Sequence, residues 1–310
     1  MNEIPARIRG SFIETREHLR FAEFCDACRD FRYIGLCHGP PGVGKTLSAH
    51  RYMEVEGLEA SEASTPVPET QQEVIETQTT ILFTVPVINS PKIVISGIGD
   101  QRQRLLQTLL EPVVRAQEAI YRQESDRRLE RREMLRRHDW STGPPPPPTP
   151  LPMEEVLQEC QVRRRMISDP TRLVLIDEAD RLRMAGLEAA RAVYDEGGIG
   201  LVLIGMPGME KRLARYPQFY SRIGFIHGFR VLTPTDVRRL LTGGWTPPGV
   251  NLPPFTEEAV AAVIRITGGN LRLLDRLLSQ AGRIARINSL ETLSVEAVNA
   301  ARENLVIGQA

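Results

Sequence analysis

Two short stretches bring together residue types that could handle phosphate. Gly39-Pro40-Pro41-Gly42-Val43-Gly44-Lys45-Thr46 has the spacing G-x-x-x-x-G-K-[ST]. In such a loop the glycines let backbone N–H groups close around phosphate oxygens, and the helix that follows adds its positive end. Lys45 would reach the β and γ phosphates and the Thr46 hydroxyl would ligate Mg2+. The candidate nucleotide-binding residues are therefore Gly39, Pro40, Pro41, Gly42, Val43, Gly44, Lys45, Thr46 and Leu47. Farther along, Leu173-Val174-Leu175-Ile176-Asp177-Glu178-Ala179-Asp180 delivers two adjacent carboxylates from the end of an apolar run, the end at which α/β sheets place ligands. Asp177 is the candidate for holding Mg2+ beside Thr46, and Glu178 for polarising a water in line with the γ-phosphate. Together these groups point to a nucleoside triphosphate hydrolase using Mg2+, with Lys45 and Glu178 at the reacting phosphate.

Such residues work only if strands end where they begin. Five apolar runs read as buried strands: 33–37, 81–87, 172–177, 200–205 and 224–232. Those at 173–176 and 201–204 are continuously apolar, as expected when helices cover both faces of a parallel sheet. Helical patterns lie between them, at 45–53, 184–195 and 210–216, so the fold class is α/β with crossovers. Residues 11–31 carry apolar side chains at spacings of three and four, an amphipathic N-terminal helix. After Leu232 the pattern turns all-helical: Thr256 reads as an N-cap, Gly268-Gly269-Asn270 ends that helix, and 271–287 shows one apolar face. The expected domains are an N-terminal arm over 1–31, a nucleotide-binding core over 32–232 and a helical lid over 233–310.

Two stretches interrupt the core. Residues 59–78 are rich in Glu, Ser, Thr and Pro and read as an exposed loop. Residues 101–138 hold ten arginines and six acids, with i,i+4 pairs Glu118–Arg122, Glu124–Arg128 and Glu133–Arg137, the pattern of a projecting, solvated helix. It runs into the polyproline stretch of 144–148, so the whole insertion covers about 101–152.

Composition narrows the partners. Thirty-nine basic residues balance thirty-nine acidic ones, so contact with nucleic acid has to come from a local patch. Only Lys45, Lys92 and Lys211 are lysines; the other basic residues are arginines, a bias that GC-rich coding would also give. Cys25, Cys28 and Cys37 fit no common zinc spacing and read as small core residues, and four cysteines make no secreted disulfide framework. No run approaches the ~20 apolar residues of a membrane helix and no signal-peptide stretch opens the chain, so a cytoplasmic protein without a membrane partner is expected.

GPPGVGKT, LVLIDEAD, SRIGF and GGNLR together resemble AAA+ ATPases. Within that group YIGLCHGPPGVGKT, GLVLIGMPGMEKRL and TGGNLRLLDRLL look most like the TniB/TnsC-type transposition ATPases, over roughly 12–100 and 155–285. The resemblance implies a P-loop AAA+ core with a five-stranded parallel sheet, a C-terminal α-helical lid, nucleotide at subunit interfaces, and homo-oligomeric rings or filaments. It implies duplex DNA and a transposase as partners. It also assigns Arg222 as the arginine that reaches a neighbour's γ-phosphate, with Arg215 and Arg212 next in line, and Arg272 as the lid's phosphate sensor. Lys92, Arg102 and Arg104 are candidate contacts to DNA phosphates. The chain departs from the pattern after its fourth core strand, where Gly205-Met206-Pro207 offers no polar side chain to place water, so slow hydrolysis is expected. The alternative reading is an ATPase of a secretion or signalling assembly, resembling ExeA, with protein partners in place of DNA.

Overall fold

The computed structural model describes residues 8–9, 12–62, 79–138, 143–144, 158, 160–162, 168–303 and 305. The chain divides into two compact units. One comprises Met1–Val55, Leu82–Ser96 and Arg172–Ala310, and the other Glu56–Ile81 and Gly97–Thr171.

The first unit opens with a two-residue hairpin pair, β1 (Ile8–Arg9) and β2 (Phe12–Ile13), and helix α1 (Arg16–Phe31). Thr15 starts α1 by accepting a hydrogen bond from the His18 N–H at 3.1 Å. The chain leaves α1 through Arg32 in the left-handed region and enters β3 (Ile34–His38), the phosphate loop and α2 (Lys45–Glu62). β4 (Thr80–Thr84), β5 (Leu173–Asp177), β6 (Gly200–Gly205) and β7 (Ile223–Gly228) complete a five-stranded parallel sheet in the order β4-β5-β6-β3-β7. α4 (Met184–Asp195) and the short α5 (Met209–Leu213) and α6 (Pro217–Tyr220) lie in the later crossovers.

β5 and β6 are buried along their whole length, which is why their sequences are unbroken apolar runs. β7 is the sheet edge and alternates between half-buried and exposed residues. On one side of the sheet Phe21 and Phe24 of α1 pack with Leu173, Leu175, Val202, Ile204 and Phe229. Cys25, Cys28 and Cys37 belong to this core, and burial pushes their thiols up, Cys28 to about 12. Because β3 lies between β6 and β7, while the chain's next strand, β4, is at the far edge, the crevice beyond the end of β3 is a topological switch point.

After β7 come α7 (Pro234–Thr242), α8 (Glu257–Thr267), α9 (Leu271–Ile287) and α10 (Val295–Glu303). Thr233 and Asp236 form a reciprocal capping box on α7. Leu240, Val263, Leu274, Leu277, Leu278 and Val298 make a second core, to which Ile13 of β2 contributes.

Helix α3 (Pro91–Arg137) is a single 47-residue helix, beginning ten residues before the charged pattern. Among its expected pairs, Glu118–Arg122 is at 3.8 Å and Glu124–Arg128 at 2.8 Å, and Glu111 holds Arg115 in the same way. α2 runs on through Glu62, past the expected end at 53. The rest of the expected loop, 63–78, and nearly all of the polyproline stretch lie outside the described residues. Among the described residues no helix is long and apolar enough to cross a membrane.

A candidate nucleotide site at the end of the central strand

The phosphate loop is anchored on both sides before it turns. The His38 carbonyl accepts from the Phe229 N–H at 2.8 Å, and the Gly39 N–H donates to the Gly205 carbonyl at 3.3 Å. The turn then passes through Gly42 at φ +78°, a left-handed backbone that suits glycine. Lys45 closes the loop on itself, its ammonium donating to the carbonyls of Gly39 at 2.7 Å and Pro40 at 2.8 Å. Burial lowers its pKa, opposed by Asp177, Glu178 and Asp180. A lysine half out of water and bonded only to neutral carbonyls gains by exchanging them for phosphate oxygens.

Thr46 and Asp177, 131 residues apart in sequence, meet at the next turn: the threonine hydroxyl donates to Asp177 Oδ2 at 2.7 Å. Asp177 is 3% exposed, and its other oxygen accepts from the Glu178 N–H at 2.9 Å. A hydroxyl and a carboxylate converging in this way are hard oxygen donors of the kind Mg2+ takes, with water and phosphate filling the remaining positions.

Glu178 is held in the left-handed region at φ 55°, ψ 35°, which costs on the order of 1 kcal/mol for a residue with a side chain. Its carboxylate lies 3.6 Å from Arg181, whose guanidinium also donates to the Val85 carbonyl at 2.7 Å. Val85 in turn donates its N–H to the Asp177 carbonyl at 3.0 Å, so the end of β4 and the carboxylate turn brace each other.

The glycine at the end of β6 has a structural reason. Asp180 turns toward it and accepts from the Met206 N–H at 3.2 Å. A Cβ on Gly205 would stand 2.7 Å from the Met209 sulfur and 3.2 Å from Asp180 Oδ1. The space that a polar side chain would need is taken by this aspartate and methionine.

The C-terminal helices touch the loop directly. Asn270 caps α9, its Oδ1 accepting from the N–H groups of Arg272 at 3.1 Å and Leu273 at 3.2 Å. Its Nδ2 donates to the Pro41 carbonyl at 2.8 Å, and the Arg272 N–H reaches the Gly42 carbonyl at 2.9 Å. A Cβ on Gly42 would press on Asn270 Oδ1 at 2.7 Å and on Arg272 Cβ at 2.9 Å. The backbone of Arg272 is thereby fastened over the loop, with its side chain exposed. Of the loop's other residues Val43 is buried in the core and Leu47 is exposed.

Arg222 is elsewhere. It precedes β7, whose first residue pairs with the first residue of β3, while the phosphate loop leaves the last residue of β3. Four residue steps separate the first and last residues of β3, about 13 Å at ~3.3 Å per residue. The Arg222 guanidinium donates to Asp195 at 2.9 Å and to the Gln218 carbonyl at 2.7 Å. Of the runners-up, Arg212 binds the carbonyls of Asp180 and Leu182, each at 2.9 Å, and so secures the turn after Glu178; Arg215 is exposed.

Sequence reasoning placed the loop and the carboxylates but did not single out Asn270 or Arg181. The signal for Asn270 was present, since Asn after Gly-Gly and before a Leu-Arg-Leu-Leu run is an N-cap pattern. That the same side chain would also grip Pro41 has no sequence signal.

Residues 29–213 match the family model described as an AAA domain. A Staphylococcus aureus protein described as a potential ATP-binding protein is 35% identical over 306 residues, covering 96% of this chain and 97% of that one. Among solved structures, Aeropyrum pernix ORC1 in complex with DNA is similar at 20% identity and TM-score 0.50, covering 93% of this chain and 64% of that one. Drosophila ORC bound to DNA is similar at 14% identity and TM-score 0.52, covering 94% and 61%. The Thermotoga maritima RuvB Holliday junction branch migration motor follows at 15% and 0.51, covering 95% and 70%. The chain thus spans less than two thirds of the length of either ORC chain. With a phosphate loop at the end of the central strand, facing carboxylates and a helical region fastened over it, the chain belongs to the AAA-domain family of P-loop ATPases.

Proposed function

We propose that the protein is an ATP-hydrolysing regulator of DNA transposition. Its subunits assemble on duplex DNA in the ATP state, recruit or activate a transposase, and separate when ATP is hydrolysed. The observation that carries the assembly is the distance between Arg222 and its own phosphate loop. In this reading Arg222, too far from its own phosphate loop to act there, enters the site of a neighbour, and the complete site is that of a homo-oligomer. The resemblance of GLVLIGMPGMEKRL and TGGNLRLLDRLL to transposition ATPases supports duplex DNA and a transposase as the partners.

In this reading Lys45 trades the carbonyls of Gly39 and Pro40 for the β and γ phosphates. Thr46 and Asp177 hold Mg2+, which when bound neutralises charge on the phosphate oxygens. Glu178 takes a proton from water, and Arg272, fixed over the loop by its backbone, meets the phosphates from the lid. With the space beside Gly205 filled by Met209 and by Asp180, whose Oδ1 is held by the Met206 N–H, residue 205 itself contributes no side chain to orient the water. Turnover is slow, which suits a switch that persists until hydrolysis.

The test of assembly mixes two inactive variants. Lys45→Ala abolishes ATP binding, and Arg222→Ala binds ATP without turning it over. A mixture regains turnover where an Arg222→Ala site meets an intact arginine from a Lys45→Ala neighbour. A mixture as inactive as its parts sinks the trans role of Arg222. The test of the partner is binding of a labelled duplex at fixed salt with an ATP analogue, ADP or no nucleotide; tight binding only with the analogue is expected, and no binding in any state moves the reading to a protein partner.

A further inference from the structure

Helix α9 carries a second feature that the nucleotide site leaves unused. Its buried side, Leu274, Leu277, Leu278, Ala281 and Ala285, packs into the C-terminal core. On the opposite side stand Arg272, Arg276, Arg283 and Arg286, all exposed. At 100° per residue they fall within an arc of about 80° and span about 21 Å along the axis. Among the described residues none of the four has a carboxylate within ion-pair distance, whereas Glu118 and Glu124 of α3 each hold an arginine one turn on. The one carboxylate of α9, Asp275, is half-buried at the margin of the arc and pairs with none of them.

Arginines of one sign, three and four residues apart, repel one another and weaken the helix that carries them. A row of this kind lowers its energy when an external anion lies along it. We propose that Arg276, Arg283 and Arg286 form a contact surface for the phosphate backbone of duplex DNA. Arg272, at the end of the row nearest the loop, remains with the nucleotide. Arg276 to Arg286 spans about 15 Å; a duplex carries one charge per ~1.7 Å of axis, about nine over that length on its two strands, and each of the three arginines can meet a phosphate with a planar, charge-assisted fork. A protein partner would call for an apolar or aromatic centre, and the arc offers only Ile287 at its end. This surface deepens the DNA reading given above and rests on it. It also moves the contact to the lid, away from Lys92, Arg102 and Arg104.

The test uses the full chain, a labelled duplex of arbitrary sequence, and a salt series in the presence of an ATP analogue. Arg276→Gln, Arg283→Gln and Arg286→Gln are combined, since glutamine keeps helix propensity and none of the three touches the phosphate loop. The slope of log affinity against log salt is expected to fall by about 0.9 per arginine, nearly 3 in all, and affinity at 0.1 M salt to fall roughly a hundredfold. ATP-analogue affinity and thermal stability stay at the parental level. If the parent binds duplex and the triple variant binds with the same slope, the row is not the contact surface. Variants Lys92→Glu, Arg102→Glu and Arg104→Glu would then be the ones to lose binding. If the parent binds no duplex in any nucleotide state, the DNA reading itself fails and takes this surface with it.

Discussion

Asn270→Asp separates two jobs that one side chain performs. Asn270 caps α9 through Oδ1 and ties that helix to the phosphate loop through Nδ2, which donates to the Pro41 carbonyl at 2.8 Å. Aspartate keeps the acceptor, and Asp and Asn are near equals as N-caps, so the helix cap is retained. The donor is lost, and a carboxylate oxygen is set against the Pro41 carbonyl. One net hydrogen bond contributes about 1 kcal/mol, and the added repulsion raises the cost to about 1–2 kcal/mol. If ATP binding uses the arrangement in which Arg272 is fastened over the loop, ATP-analogue affinity falls by about five- to thirtyfold; since the clasp is present without nucleotide, its loss also lowers stability, by up to about the same 1–2 kcal/mol. Asn270→Ala loses the cap as well as the clasp and is less stable by about a further 1 kcal/mol. Calorimetric titration with the analogue and denaturant unfolding of both variants read the two effects separately. In an Arg272→Ala background the Asn270→Asp effect on affinity should largely vanish, because the clasp acts by positioning that arginine. Unaltered affinity in Asn270→Asp, or equal stability losses in the aspartate and alanine variants, would refute the coupling.

Glu178→Gln is expected to bind ATP normally and to lower turnover by about two to four orders of magnitude, as removal of a general base does; single-turnover hydrolysis at the parental rate would remove Glu178 from that role. Gly205→Ser should destabilise the fold by about 1–3 kcal/mol without speeding hydrolysis, because its Cβ meets Met209 and Asp180; a faster, equally stable variant would overturn the account of that glycine. His18 is buried against Phe12 at 4.8 Å, and burial first, then Arg51, lowers its pKa to about 4. The unfolded chain, titrating near 6.5, binds the proton first, so stability is lost as pH falls from about 6.5 to 4, by up to about 3 kcal/mol. Burial lowers the His227 pKa as well and acts in the same direction. Urea unfolding between pH 7 and 4 should show a shallower decline in His18→Leu, and an unchanged decline would place the acid sensitivity elsewhere.

Local chemistry made much of the molecule legible from its residues. The loop of residues 39–46 needs no partner to be recognised, because Gly42 and Gly44 take left-handed backbone that suits glycine and Lys45 and Thr46 supply its cation and hydroxyl. Unbroken apolar runs at 173–176 and 201–204 announced strands covered on both faces, since period and burial are written residue by residue. Polyampholyte spacing likewise announced α3, though its start at Pro91 lay ahead of the charge pattern, where apolar residues conceal a helix boundary.

What folding alone decided depends on residues distant in the chain. The two motifs already assign Thr46 and Asp177 to one Mg2+, but their direct hydrogen bond follows from the order of strands, as does the separation of Arg222 from its own phosphate loop. The filling of the space at Gly205 by Asp180 needs the turn after β5 laid beside the end of β6. The double role of Asn270 needs α9 docked on the loop, 229 residues back in the sequence. A sequence specifies what each side chain can do over the few residues it touches locally; which groups across the sheet become neighbours is set by the packing of the whole core, and no local pattern encodes it.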